Sequence, residues 1–143
     1  MKTQNQVTLE FPSNSCNESF ARAAAACFAA QLDPTLDELN DIKTAVSEAV
    51  TNCIVHAYKE TIGKIYITVS IYENRIISIR IRDTGCGIED IEKAREPMYT
   101  TAGDERAGLG FAVMESFMDK IHVSSKKDKY TSVVMKKKLG EKK

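Results

Sequence analysis

The chain has 143 residues and a mass of 15.9 kDa, with 43% apolar and 28% charged residues, the balance of one globular domain rather than of a disordered or fibrous chain. Its longest unbroken apolar stretch, residues 23–30, is far shorter than the roughly 20 residues a membrane helix needs. The N-terminal MKTQNQVTLEFPSN lacks the apolar centre of a secretory leader. A single cytoplasmic domain over 1–143 is therefore expected, with no membrane partner.

Net charge is zero only in sum, because residues 126–143 hold eight lysines against Asp128 and Glu141 and carry +6. The remainder carries −6. No aromatic residues alternate with these lysines, so the run reads as a solvated strand edge and a basic tail (about 139–143) rather than a nucleic-acid surface. Cys16, Cys27, Cys53 and Cys86 form no C-x-x-C pair and read as free thiols.

Along the chain, Val7, Leu9 and Phe11 alternate and predict a short strand ended by Pro12. Ser15 stands three residues before Glu18, the capping-box spacing, and predicts a helix with Phe20, Ala24, Cys27, Phe28 and Leu32 on its apolar stripe. Asp33-Pro34 breaks it. Thr35 and Glu38 repeat the spacing and open a second helix, whose stripe of Leu39, Ile42, Val46, Ala49, Val50, Cys53, Ile54 and Ala57 keeps a 3.6-residue period. After Gly63 the period becomes 2, with Ile65, Ile67, Val69 and Ile71, a turn at Glu73-Asn74, then Ile77, Ile79 and Ile81. A short acidic segment (88–94) and an unpatterned stretch (about 95–107), with the composition of a lid, precede a helix from Gly108. Strands over 121–125 and 130–138 close the chain. This order predicts an α+β sandwich: one mixed, mainly antiparallel sheet with helices on one face.

Three features carry candidate chemistry. Glu48 and Asn52, four residues apart, lie one turn apart on one helix face beside the apolar stripe. They suit either an ordinary polar edge or a pocket in which Asn52 gives an oxygen to Mg²⁺. Asp83, in phase with Ile77, Ile79 and Ile81, points toward the buried face. Such a carboxylate needs donors, and a purine's exocyclic amine is one; Gly85 and Gly87 then let the backbone turn or approach a flat ligand. A plain turn after a strand fits the same residues. Thr100-Thr101 and Gly108-Leu109-Gly110-Phe111 give a loop and a glycine-flanked helix start, which suits phosphate or simply begins a helix. The chain contains no G-x-x-x-x-G-K-[ST] loop, no strand–G-x-G-x-x-G–helix unit and none of the motifs of ordinary protein kinases.

Taken together and in order, E-A-V-T-N, D-T-G-C-G-I, T-T and G-L-G-F resemble the GHKL ATPase superfamily, which has a Bergerat-type sandwich fold. The stretches NESFARAAAACFAAQLDPTLDELNDIKTAVSEAVTN and GFAVMESFMD are similar to those of the small sporulation anti-sigma F factors, which double as serine kinases. The likeness runs over about residues 7–138. It implies Glu48 as general base toward a serine hydroxyl, Asn52 as Mg²⁺ ligand, and Asp83 as the acceptor of the adenine amine of ATP or ADP. It implies Gly85 and Gly87 as the pocket floor, Thr100 and Thr101 as lid residues, and Arg106 as a contact to the terminal phosphate. Gly108, Leu109 and Gly110 would cradle phosphates, and Thr131 would hold adenine through water. Glu18 and Arg22 read equally as part of a partner surface and as a surface ion pair.

The implied partners are a sporulation sigma factor, an anti-anti-sigma factor phosphorylated on serine, and a second copy of the chain. Tyr130 departs from the family's usual glycine, and the AGDERA stretch is short and lacks lysine. Two alternatives remain. One is the catalytic module of a histidine kinase, against which His56 lies inside the site helix. The other is a non-catalytic ATP-dependent binding protein, which has no chemical need for Glu48.

Overall fold

A computed structural model describes residues 2–58, 61–88 and 105–140. The acidic segment from 89 and most of the expected lid, with Thr100 and Thr101, lie outside the described residues. Five strands, β1 (Thr3–Pro12), β2 (Lys64–Tyr72), β3 (Ile76–Asp83), β4 (Lys120–Lys126) and β5 (Tyr130–Lys138), form one sheet in the order β1-β2-β3-β5-β4. Every pairing is antiparallel, so the sheet is not mixed. Helices α1 (Asn17–Ala29), α2 (Leu36–Asn52) and α3 (Glu105–Phe117) make the second layer.

The period-2 patterning fixes which face is buried, and the register aligns the buried residues in rows. Val7, Val69, Ile79, Met135 and Ile121 make one row, and Leu9, Ile67, Ile81, Val133 and Val123 the next. A third row begins apolar with Phe11 and Ile65, then turns polar as Asp83, Thr131 and Ser125. The opposite face bears Thr8, Tyr66, Thr68, Arg80 and Arg82 around a shallow polar groove.

Helix α1 keeps part of the expected stripe, with Phe28 and Leu32 packed against the core, and corrects the rest. Its buried residues are Ala21, Ala25, Ala26 and Ala29, while Phe20 is 51% exposed and Cys27 lies on the surface. Small side chains on the buried face let α1 pack closely on the layer beneath, and α2 turns Ser47 toward it. Phe20 instead meets Phe11 edge-on at 6.1 Å between ring centroids. The Ser15 cap is also absent: Cys16 is the N-cap and no side chain caps the helix. Glu18 is engaged elsewhere, accepting from Ser47 on α2 and pairing with Arg22 at 3.3 Å.

The Thr35–Glu38 capping box forms as the spacing predicts, with Glu38 N–H on Thr35 Oγ1 (3.1 Å) and Thr35 N–H on Glu38 Oε1 (2.9 Å). The second oxygen of Glu38 accepts the Gly140 N–H at 2.7 Å. Arg75, in the turn between β2 and β3 with φ 60°, donates to Leu32 O and, at 2.6 Å, to Gly140 O. Leu139 is thereby held in the core, so the expected basic tail begins inside the fold. Lys137 likewise leaves the basic run to pair with Asp41 at 3.4 Å.

The Thr35 and Gly140 N–H groups hold the Glu38 carboxyl below its ordinary value of 4.5. Its contribution is therefore present above that value and lost as pH falls through the lowered one. Glu38→Ala is expected to cost about 1–2 kcal/mol at pH 7 and less at pH 3, by urea denaturation. An equal deficit at both pH values would assign the loss to packing instead.

Candidate functional site

The site lies where the polar end of the third row faces the end of α2. Beyond Asn52 the helix widens into a π turn, Cys53–Ala57, in which the Tyr58 N–H bonds the Cys53 carbonyl at 3.1 Å. Such turns recur at functional sites because they re-aim side chains without ending the helix. This one presses its backbone on the loop after β3, and the Cys86 N–H donates to Ala57 O at 3.2 Å.

Gly85 passes so close that a Cβ would run into the Ala57 carbonyl oxygen. Gly87 has φ +71° and sits against the Lys126 backbone. Both glycines are thus required by chain contacts within the pocket floor. Tyr58 locks the same corner, donating to Lys64 O (2.7 Å) and accepting from the Thr84 N–H (2.7 Å).

Asp83 is 3% exposed. Its Oδ1 accepts the Gly85 N–H at 3.0 Å. Burial pushes its carboxyl up, opposed in turn by donors from the Gly85 N–H, the Cys53 thiol and the Thr131 N–H, and by the Arg82 charge. Thr131 pairs with Asp83 across the strands, its hydroxyl 2.9 Å from Ser125 Oγ, which also accepts the Ile88 N–H at 2.7 Å. Tyr130 sits one residue out of phase, and its ring takes the Arg82 guanidinium at 5.3 Å. The residue that departs from the family's glycine therefore leaves Thr131 beside Asp83.

At the other end, both amide atoms of Asn52 are buried and, among the described residues, meet no hydrogen-bond partner. A buried amide left so costs on the order of 1–3 kcal/mol per group unless a ligand satisfies it. Gly110 of α3 lies directly over it: a Cβ there would stand 3.0 Å from Asn52 Nδ2, 3.1 Å from Oδ1 and 3.3 Å from Glu48 Oε2. Helix α3 begins at Glu105, three residues before the expected start at Gly108. Arg106 and Gly108 therefore lie in its first turn and Leu109 and Gly110 beyond it, and Gly110 serves by its missing side chain rather than by a free N–H.

The structure thus brings Glu48, Asn52 and Gly110 together at one end and Asp83, Gly85, Gly87 and Thr131 at the other. Glu18 and Arg22 lie apart on α1, tied to α2 through Ser47, the neighbour of Glu48. Sequence reading missed Ser125, whose hydroxyl meets Thr131 and the Ile88 N–H. Its signal was phase with Thr131 across a strand pair.

A two-layer fold with a buried carboxylate at one corner and an unsatisfied amide beside a carboxylate at another fits a domain of the kinase–ATPase class. Residues 11–137 match the model of the histidine kinase-like ATPase domain family. The chain is 55% identical over 141 residues to an anti-sigma F factor of Caldanaerobacter subterraneus, covering 98% of both chains. It is 54% identical to that of Clostridium acetobutylicum over 138 residues, 96% of both. The RsbU and RsbW domains of a Mycobacterium tuberculosis protein share the fold, with TM-score 0.71 at 15% identity over 97% of this chain and 34% of that one. A histidine kinase domain from Erythrobacter litoralis gives TM-score 0.56 at 17% identity, covering 85% of this chain and 60% of that one. The chain belongs to the anti-sigma F factor family.

Asp83 titrates in a sense opposite to Glu38. Its folded value lies above its ordinary 3.8 because of burial, so folding disfavours its charged form relative to the unfolded chain. The stability difference between wild type and Asp83→Asn should rise as pH falls from that raised value toward 3.8. Denaturation curves at stepped pH measure it, and a falling difference would mean that the donors outweigh burial.

Proposed function

We propose that the protein is an ATP-dependent serine kinase that also binds and inhibits a sigma factor of the sporulation type. The observation that carries the nucleotide reading is the buried, unpartnered amide of Asn52 beside Glu48. Its carbonyl oxygen is a hard donor of the kind Mg²⁺ takes, so these residues fit the ion. Bound there with ATP, Mg²⁺ would neutralise charge on the phosphates.

Asp83 accepts from the adenine amine, and Thr131 adds a water-mediated contact. Gly85 and Gly87 keep the floor flat. Gly108, Leu109 and Gly110 face the phosphates, with Arg106 supplying a cation and Thr100 and Thr101 belonging to the lid. Glu48 accepts the proton of a serine hydroxyl on an anti-anti-sigma factor as that oxygen attacks the terminal phosphorus of ATP, whose bond to the bridging oxygen breaks and releases ADP. A carboxylate placed so typically contributes about 10²–10⁴-fold. The anti-sigma role draws support from the full-length similarity to proteins named anti-sigma F factor, and Glu18 and Arg22 offer a charged pair to such a partner. A homodimer completes the reading.

Two measurements separate the roles. Asn52→Ala should weaken ATP binding at least tenfold in Mg²⁺ and far less in EDTA, by titration calorimetry, since one charge-assisted contact is worth about 1.5–3 kcal/mol. Equal losses in both buffers would make Asn52 scaffold. Glu48→Gln keeps shape and removes the base. It should still bind Mg-ATP and the sigma factor yet phosphorylate the anti-anti-sigma factor about a hundredfold more slowly. Near-normal phosphorylation, read as phosphoserine by mass, would move the base elsewhere.

A further inference from the structure

The corner that holds Asp83 and Thr131 contains a third polar side chain to which the nucleotide reading gives no task. Ser125 on β4 stands beside Thr131 on β5, as Thr131 stands beside Asp83 on β3. Its hydroxyl makes three contacts. The Ile88 N–H lies 2.7 Å from Oγ, the Tyr130 carbonyl oxygen 2.7 Å, and Thr131 Oγ1 2.9 Å.

A serine hydroxyl has one hydrogen and two lone pairs, and two of these contacts leave no choice of direction. A main-chain N–H only donates, so Ser125 accepts from Ile88. A main-chain carbonyl only accepts, so Ser125 gives Tyr130 its single hydrogen. The third bond therefore runs from Thr131 to Ser125 and fills the second lone pair. Thr131 has then spent its own hydrogen, and toward any other group its Oγ1 is an acceptor alone.

We propose that Ser125 is a specificity-determining positioning residue: by taking the Thr131 hydrogen it makes Thr131 an acceptor and selects a purine with an amine, not an oxo group, at position 6. The inference rests on the nucleotide reading above and deepens it. Beside the Asp83 carboxylate, an acceptor Thr131 leaves this corner with two side chains that both ask for donors. The 6-amino group of adenine brings two N–H groups. One meets Asp83, and the other meets a water that passes a hydrogen on to Thr131. The run continues through Ser125 and ends on the Tyr130 carbonyl, with every hydrogen pointing the same way, which strengthens each bond in it. Strand pairing of Lys126 with Tyr130 places that carbonyl, so the direction does not reverse for another ligand. The 6-oxo group of hypoxanthine needs a hydrogen aimed at it, and Thr131 has none to give.

The test is binding of Mg-ATP and Mg-ITP to the full chain, by displacement calorimetry. The variants are Ser125→Ala, Ser125→Thr, Thr131→Val, the double variant Ser125→Ala/Thr131→Val, and Asp83→Asn, each checked for fold by circular dichroism. Ser125→Ala frees the Thr131 hydrogen and should lower the ATP-to-ITP affinity ratio about fivefold, the size of one neutral hydrogen bond. Ser125→Thr keeps the hydroxyl and should stay within about twofold of wild type. Thr131→Val removes the acceptor and should lower the ratio too. Adding Ser125→Ala to it should change the ratio no further, because Ser125 acts through Thr131. Thr131→Val leaves Ser125 its two main-chain partners, so it decides the matter where Ser125→Ala does not fold: loss of an acceptor lowers the ratio, and loss of a donor raises it.

A scaffold role alone would weaken both nucleotides equally and leave the ratio unmoved. An unchanged ratio in Ser125→Ala, a threonine that fails to restore it, a ratio in Thr131→Val that holds or rises, or a further fall in the double variant overturns the proposal. In each of those cases an ATP loss of about tenfold in Asp83→Asn leaves the nucleotide reading standing. ATP affinity unaffected by Asp83→Asn overturns both.

Discussion

A carboxylate buried in the apolar face of a sheet is the constraint around which the rest of this molecule is arranged. Asp83 occupies a position that strand phase assigns to the core, at 3% exposure. An ion placed there without donors would cost several kcal/mol. The fold answers with backbone: Gly85 turns its N–H back on the carboxylate, and antiparallel register brings the Thr131 N–H from β5. These groups are fixed by main-chain geometry, so the acceptor is held before any ligand arrives. Burial still pushes the carboxyl up, which leaves capacity for one more donor.

The helix layer is built to reach this corner. Alanines on the buried face of α1 let it pack closely, and a hydrogen bond from Ser47 to Glu18 ties α2 to it. The π turn then shifts the backbone so that Ala57 contacts the glycine loop. Had the helix continued with α geometry, His56 and Ala57 would point elsewhere. Gly110 completes the arrangement from α3 by having no Cβ to fill the space over Asn52 and Glu48.

Much of this was legible in the residues. Period-2 alternation identified β2 and β3 with the correct buried face, because a one-residue slip would have exposed every isoleucine. The Thr35–Glu38 box was legible because both of its bonds are local. The equivalent Ser15–Glu18 spacing was misleading for a long-range reason: Glu18 is claimed by Ser47, 29 residues away. The α1 stripe was read partly right: Phe28 and Leu32 pack against the core, but its most buried positions are alanines and Phe20 and Cys27 stay outside. Leu139 looked like tail because Arg75, which accepts its N–H, and Glu38, which accepts that of Gly140, both lie far upstream. Asp83 was located by phase alone.

The two ends of the site are held by different means, and this bears on how a nucleotide would be read. At the Asp83 end the donors are main-chain groups fixed by turn geometry and strand register. At the Asn52 end the amide is unsatisfied, so this end gains most from occupancy. A ligand that satisfies Asn52 also engages the surroundings of Glu48, whose neighbour Ser47 carries the hydrogen bond to Glu18. One turn of α2 therefore presents Asn52 and Glu48 to the ligand and Ser47 to α1. The charged pair Glu18–Arg22 is anchored to that same turn, a rigid connection through one helix.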